Sequence, residues 1–275
     1  MSTNTTISLS VLSGKGGVGK SNLALNICYA LHQLGHPVLL IDCDMGLANM
    51  DVLLGIAPQQ HIQDILISNR NPAEVLVPIG SVGGAPFDLM PANSGMAEFA
   101  ELDVGARTIL RDKITPLATR YDFLCMDMGA GISATAIGFA AMTTLRIVVI
   151  TPEPTSLTDS YAMMKVLTAR HNVQDFYILV NQAESPAEGK LTYNRLSAVC
   201  KRFLGFAPAY LGEVRTDRAV SDAVRKQKPL MQISPLSPAA VDCMAAANAL
   251  QKLRENMLRT EGIPSPLNTI VVQDF

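Results

Sequence analysis

The chain has 275 residues, of which 48% are hydrophobic, 17% charged and 5% aromatic, with no Trp. That composition can bury a large core of Leu, Val, Ile, Ala and Met, and it excludes a disordered or collagen-like chain. Lys and Arg number 22 against 24 Asp and Glu, a net charge of -2, so neither a global basic field for nucleic acid nor an acidic tail is present.

The opening MSTNTTISLS lacks the basic start and long apolar run of a signal peptide. Ile7–Leu12 is apolar and β-rich and reads as the first strand. Directly after it comes Gly14-Lys15-Gly16-Gly17-Val18-Gly19-Lys20-Ser21, which satisfies G-x-x-x-x-G-K-[ST] and opens a helical pattern over Lys20–Leu34. Strand, loop and helix in that order are the context that identifies a phosphate-binding P-loop. The glycines let the backbone approach phosphate oxygens without a Cβ, and successive N–H groups and the helix N-terminus face the anion. Lys20 is placed for the β- and γ-phosphates, and the Ser21 hydroxyl for Mg²⁺.

Val38–Ile41 reads as the second strand and ends in Asp42-Cys43-Asp44. Open α/β sheets bind ligands beyond the carboxyl ends of their strands. Carboxylates there can hold the waters of Mg²⁺ or orient an attacking water; turn aspartates fit the same residues. Pro78–Pro86 reads as a loop leading into the strand Phe87–Met90. A helix follows over Ala106–Thr119. Phe123–Met126 is a strand closed by Asp127 and Met128-Gly129-Ala130-Gly131, and an Asp so placed after a P-loop is suited to Mg²⁺. Ile147–Ile150 and Tyr177–Val180 are further strands, with helices over Leu157–Arg170 and Leu191–Phe203. Asn181 ends the last of these strands; its amide can donate to and accept from an adenine edge, and an Asx turn is the other reading. A final helix, about Pro238–Met257, carries Val241, Met244, Leu250, Leu253 and Met257 on roughly one face.

Strands apolar on both sides, alternating with helices, predict a doubly wound, mainly parallel α/β sheet. No repeat or linker divides the chain, which predicts one domain with a core from residue 7 to 258 and a tail over 259–275. The five cysteines are scattered and form no C-x-x-C, which suits a reducing cytoplasm and excludes a zinc ribbon or an iron–sulfur carrier.

The string KGGVGKS resembles the deviant Walker A motif of the MinD/ParA family of P-loop ATPases. The resemblance implies ATP and ADP with Mg²⁺ as ligands, and slow hydrolysis by an ATP-dependent homodimer. Lys15 is then the residue that reaches the partner's nucleotide. DCDMGLANMDVLLG (Asp42–Gly55) resembles the family's switch I, with Asp44 positioning the hydrolytic water and Asp42 supporting the metal site beside Ser21 and Asp127. Asp51 also matches. DMGAGIS (Asp127–Ser133) resembles switch II. Asn181 matches the base-reading Asn, and Leu211–Asp217, with Val214, Arg215 and Asp217, resembles the segment closing the other side of the base.

Within the family, GLANMDVLLG, DMGAGIS and especially TPEPTSLTDSYAMMKVL (Thr151–Leu167) resemble the FlhG group, also called FleN or YlxH, MinD-like regulators of flagellar number. The resemblance places Glu153 and Asp159 near the partner subunit. It implies flagellar partners: an FlhF-like GTPase, a flagellar transcription regulator or a switch-complex protein. It also implies a cytoplasmic location, with the inner membrane or cell pole as peripheral sites. Only Met1–Thr6 precede the first strand, so the family's N-terminal activating extension is not expected. The tail Thr260–Phe275 contains Pro264 and Pro266 and no Lys or Arg, so it does not predict a membrane-surface helix. DNA partitioning of the ParA kind is the alternative function. It needs a basic surface, and the run Arg215, Arg218, Arg225, Lys226, Lys228 is interleaved with Glu213, Asp217 and Asp222; no direct nucleic-acid contact is expected.

Overall fold

The computed structural model describes residues 4–96, 99, 101–260 and 262–268. Eight strands form one sheet: β1 (Ile7–Leu12), β2 (Val38–Cys43), β3 (Val77–Val82), β4 (Ala85–Met90), β5 (Phe123–Met128), β6 (Leu145–Ile150), β7 (Phe176–Ala183) and β8 (Ala209–Arg215). Their spatial order is β3-β4-β2-β5-β1-β6-β7-β8. All neighbours are parallel except the β3–β4 pair.

Side chains alternate across each strand and both faces are covered, as parallel strands require. In β2, Val38 and Leu40 enter one core while Leu39, Ile41 and Cys43 enter the other. The first of these cores is roofed by α1 (Lys20–Gln33) and α10 (Pro238–Thr260). The second lies under α4 (Val104–Ala118), α5 (Ala134–Met142), α6 (Pro154–His171) and α7 (Pro186–Phe203). Short helices fill the connections: α2 (Met50–Leu54), α3 (Ile62–Ile67), α8 (Arg218–Arg225) and α9 (Leu230–Ile233).

Two sequence expectations need correction, and one strand is added. The segment over Pro78–Pro86 is no simple loop: β3 and β4 form an antiparallel hairpin there, turning at Gly83 and Gly84, both at positive φ. Pro78 sits on the edge strand beside a register shift, where a missing N–H costs least. Ala209–Arg215 is the eighth strand. In α10 the packing face is Ala239, Ala240, Cys243, Ala246, Ala247 and Leu250, whereas Val241 is 47% exposed. Small residues let α10 lie close to α1, and of the expected face Leu250 is buried while Met244, Leu253 and Met257 pack against the same core from its margin.

Of the tail, Ile263 and Leu267 are buried and the Asn268 N–H donates to the Met142 carbonyl at 2.9 Å. The stretch Ile270–Phe275 lies outside the described residues. Among the described residues no helix is long and apolar enough to cross a membrane.

Candidate active site

β1 is central, and the carboxyl ends of β1, β2 and β5 converge. Register pairs Val11 with Asp127 and Asp42 with Asp127, which sets the second acidic strand end between the P-loop strand and the first. Above them opens a cavity of about 710 Å³, lined by Gly16–Ser21, Asp44–Leu47, Asn49, Gly129, Ala130 and Ser133, with Glu101 and Thr135 at its side. The helix α1 enters it with Gly19 as N-cap at φ 85, without a side-chain cap or an acidic residue in the first turn. Its leading N–H groups are thereby left for an anion.

Two glycines are required by contact. A Cβ on Gly14 would collide with the backbone of Asp159 and Ser160 in α6, so α6 lies directly on the start of the P-loop. A Cβ on Gly19 would collide with the Asn181 side chain, and Gly19 also needs its left-handed backbone.

Lys20 is buried and its Nζ donates to Asp127 Oδ1 at 2.6 Å, with side chains 7% and 0% exposed. Burial pushes the Asp127 carboxyl up, while Lys20 and the Ser21 hydroxyl pull it back. Asp127 Oδ2 is buried and has no hydrogen-bond partner among the described residues. An orphan carboxylate oxygen beside a serine hydroxyl is a hard-oxygen donor set, and it fits Mg²⁺ held together with phosphate oxygens and water.

Asp42 behaves differently from its neighbour. It is 1% exposed, and its carboxylate accepts from the N–H groups of Asp44 (3.1 Å), Asn49 (3.1 Å) and Met50 (3.2 Å). Burial, then the Asp127 charge, push its pKa up to about 7, against the pull of these three bonds. Expected beside the metal, it is turned onto backbone. Asp44 lies past the end of β2, against Gly129, and its Oδ1 accepts from the Leu47 N–H at 3.2 Å. Asp51 lies on α2 and accepts from the Val52 N–H.

Lys15 does not line the cavity. Its Nζ is paired with Glu153 and bonded to Thr155 Oγ1 at 3.2 Å, both at the start of α6. Glu153, which the resemblance places near a partner subunit, neutralises Lys15 of its own chain. Thr155 was not anticipated, since 140 residues separate it from Lys15 and no local spacing links them.

A second, smaller cavity of about 200 Å³ adjoins the first through Gly19 and Asn22 and brings together Asn181, Val214, Arg215 and Asp217. Asn181 Nδ2 donates to the Val18 carbonyl at 2.7 Å. Arg215 is clamped by Asp242 through two nitrogens at 2.8 Å, and Asp217 caps α8 and accepts from the Ala239 N–H. The side chains of Arg215 and Asp217 are therefore committed to holding α8 and α10, and the cavity is offered mainly backbone and the Asn181 amide.

A sheet with a P-loop after its central strand and two acidic strand ends beside it defines a P-loop nucleotide-binding protein. The chain belongs to the family whose model, the CobQ/CobB/MinD/ParA nucleotide binding domain, matches residues 9–230. It is 35% identical to the antiactivator FleN of Pseudomonas aeruginosa, covering 87% of this chain and 84% of that one. It is 32% identical to the flagellum site-determining protein YlxH of Helicobacter pylori, over 82% of this chain and 76% of that one. Among solved structures it shares its fold with the septum site-determining protein MinD complexed with Mg-ADP from Pyrococcus horikoshii, with TM-score 0.70, 20% identity and coverage of 90% and 97%.

Proposed function

We propose that this protein is a MinD-like ATPase that acts as a nucleotide-controlled switch in setting flagellar number, placement or gene expression. The observation that carries the ATPase reading is the cavity that Gly16–Ser21 line together with Asp44, beside the buried Lys20–Asp127 pair. The flagellar assignment is supported by the likeness to FleN and YlxH over most of each chain.

In this reading the α1 N-terminus and Lys20 bind the phosphates, Ser21 and Asp127 hold Mg²⁺, and Asn181 orients the base. Mg²⁺, when bound, neutralises charge on the phosphates. Asp44 orients the water that attacks the terminal phosphate. Lys15 leaves Glu153 when two copies meet and reaches the partner's phosphates, so hydrolysis waits on the dimer. Flagellar regulatory or assembly proteins then read the dimeric state. All five cysteines are free and buried, which suits work in the cytoplasm. The basic residues of α8 do not make a DNA surface in this reading: Asp217 caps the helix and Asp222 pairs with Arg225.

The test pairs sedimentation of the purified protein with a slowly hydrolysed ATP analogue and flagellar counts in a deletion strain complemented by the gene. An ATP-dependent dimer and restored flagellar number are expected. A protein that stays monomeric with the analogue, or a deletion with normal flagella, would refute the reading.

A further inference from the structure

The two neighbouring buried carboxylates are satisfied in opposite ways. Asp127 keeps one oxygen without a partner among the described residues, while Asp42 spends both of its oxygens on backbone N–H groups. A carboxylate has about four lone-pair sites. On Asp42 three of them are met, from both ends of one loop: Oδ1 by Asp44, and Oδ2 by Asn49 and Met50. We propose that Asp42 is a positioning residue for hydrolysis, a staple that holds the loop from Asp44 to Met50 closed beside the phosphate cavity, and not a ligand of the cation.

Buried Met45, Ala48 and Met50 anchor the loop's apolar side chains in the cores, and the Asp42 carboxylate fixes its backbone. Leu47 is 77% exposed, and the N-cap Asn49 makes no side-chain cap to α2. The N–H groups that open α2 are met by Asp42, reaching over from the end of β2. The same carboxylate fixes the Asp44 backbone, and so the point from which the Asp44 side chain reaches toward Gly129 and the cavity. Asp42 thus acts through Asp44. This rests on the reading of Asp44 as the residue that orients water. The staple itself is a property of the nucleotide-free chain and can be tested apart from it.

The variant is Asp42→Asn, which keeps the shape but offers an NH₂ group to N–H donors. Thermal melting first checks that it folds. Backbone amides of residues 44–50 should exchange with solvent about tenfold faster or more, as expected for losing contacts to a charged acceptor. The kcat for ATP should fall by a similar factor, while the ATP Kd and the Mg²⁺ concentration for half-maximal binding of nucleotide stay within about threefold. If the amides stay protected while the Mg²⁺ requirement rises about tenfold or more, Asp42 is a metal ligand and the proposal falls. It falls also if the loop loosens and kcat is unchanged, for then the staple does not serve hydrolysis. A second measurement needs no variant. In the parent protein the Asn49 and Met50 amides should exchange slowly without nucleotide and remain slow when Mg²⁺ and a slowly hydrolysed ATP analogue are added. Faster exchange on that addition would show the carboxylate leaving the loop for the cation. A parent protein that binds nucleotide yet never hydrolyses it would sink the ATPase reading, and slow exchange of these amides would still report the staple.

Discussion

Replacing Lys20 by Ala perturbs two things at once, and the structure gives a magnitude for each. The Lys20 ammonium lies 2.6 Å from Asp127 Oδ1, and both side chains are nearly excluded from water. Removing one partner of such a pair strands a buried charge, at a cost of roughly 3–5 kcal/mol. For a chain of this size each kcal/mol lowers the melting temperature by roughly 2–4 °C, so a fall on the order of 10 °C is expected. The deficit should depend on pH. Burial already holds the Asp127 carboxyl above its ordinary range, and Lys20 is the largest influence opposing it. Without Lys20 the folded-state pKa rises further above that of the unfolded chain, so the native variant binds an extra proton. Its deficit is then fullest above the folded pKa and shrinks as pH falls through it. Urea melts of parent and variant at pH 8 and pH 5 should therefore converge at the lower pH. Independently, loss of a charge-assisted contact to phosphate, about 1.5–3 kcal/mol, should weaken ATP binding at least about tenfold by calorimetry. A variant that melts with the parent at pH 8 would refute the buried pair, and one with parental ATP affinity would refute the P-loop role.

Lys15→Ala should retain nucleotide binding but lose ATP-dependent dimerisation and hydrolysis, because Lys15 faces Glu153 and not its own phosphate cavity; a normal dimer by analytical ultracentrifugation would reduce Lys15 to a surface residue. Asp44→Ala should bind ATP and dimerise, yet hydrolyse about 10²-fold more slowly; a variant that turns over at the parent rate, or is monomeric with ATP, would rule out its role with water. Gly14→Ala should force α6 away from the P-loop and cost roughly 1–3 kcal/mol, by overpacking against backbone that cannot rotate aside; an unchanged urea midpoint would show that the loop and α6 are not in firm contact.

The parts of the site that were legible in the sequence are those whose chemistry is contiguous in the chain. A P-loop must place its glycines, Lys20 and Ser21 within a few residues, and an acidic strand end needs only an apolar run closed by Asp. Phosphate and metal chemistry fix such spacings locally. The roles of Asp42 and Asp127 were not separable, because both read as Asp after an apolar strand. What divides them is which backbone N–H groups fold back onto each, a property of the loop after β2. Lys15 and Glu153 meet only because α6 lies on Gly14, which no local pattern records. In the fold, β8 escaped a strand reading because it is an edge strand, half-exposed and broken by Gly212 and a register shift. The helix α5 is buried nearly all round and so lacks the 3.6-residue alternation that marks a helix. The hairpin was hidden by prolines and glycines that punctuate its edge.

Three polar groups of the P-loop and the base site already have partners inside the chain. Lys20 is held by Asp127, Lys15 by Glu153, and the Asn181 amide by the Val18 carbonyl. Unpaired, the buried Lys20 and Asn181 would each carry a desolvation cost. The resting protein avoids it by pairing them internally, and nucleotide binding becomes an exchange of partners. The gain on binding is the difference between two sets of contacts, so affinity is lower than the count of phosphate contacts suggests. Exchange also carries information. In the proposed reading, a Lys20 that turned to phosphate would leave the Asp127 carboxylate without its cation, so that Mg²⁺ and phosphate would favour each other's binding. If Lys15 turns to a second copy, as proposed above, Glu153 is freed at the head of α6, the helix whose backbone rests on Gly14. The start of the P-loop and the start of α6 are thus joined by one contact that cannot be compressed and one ion pair that can be broken.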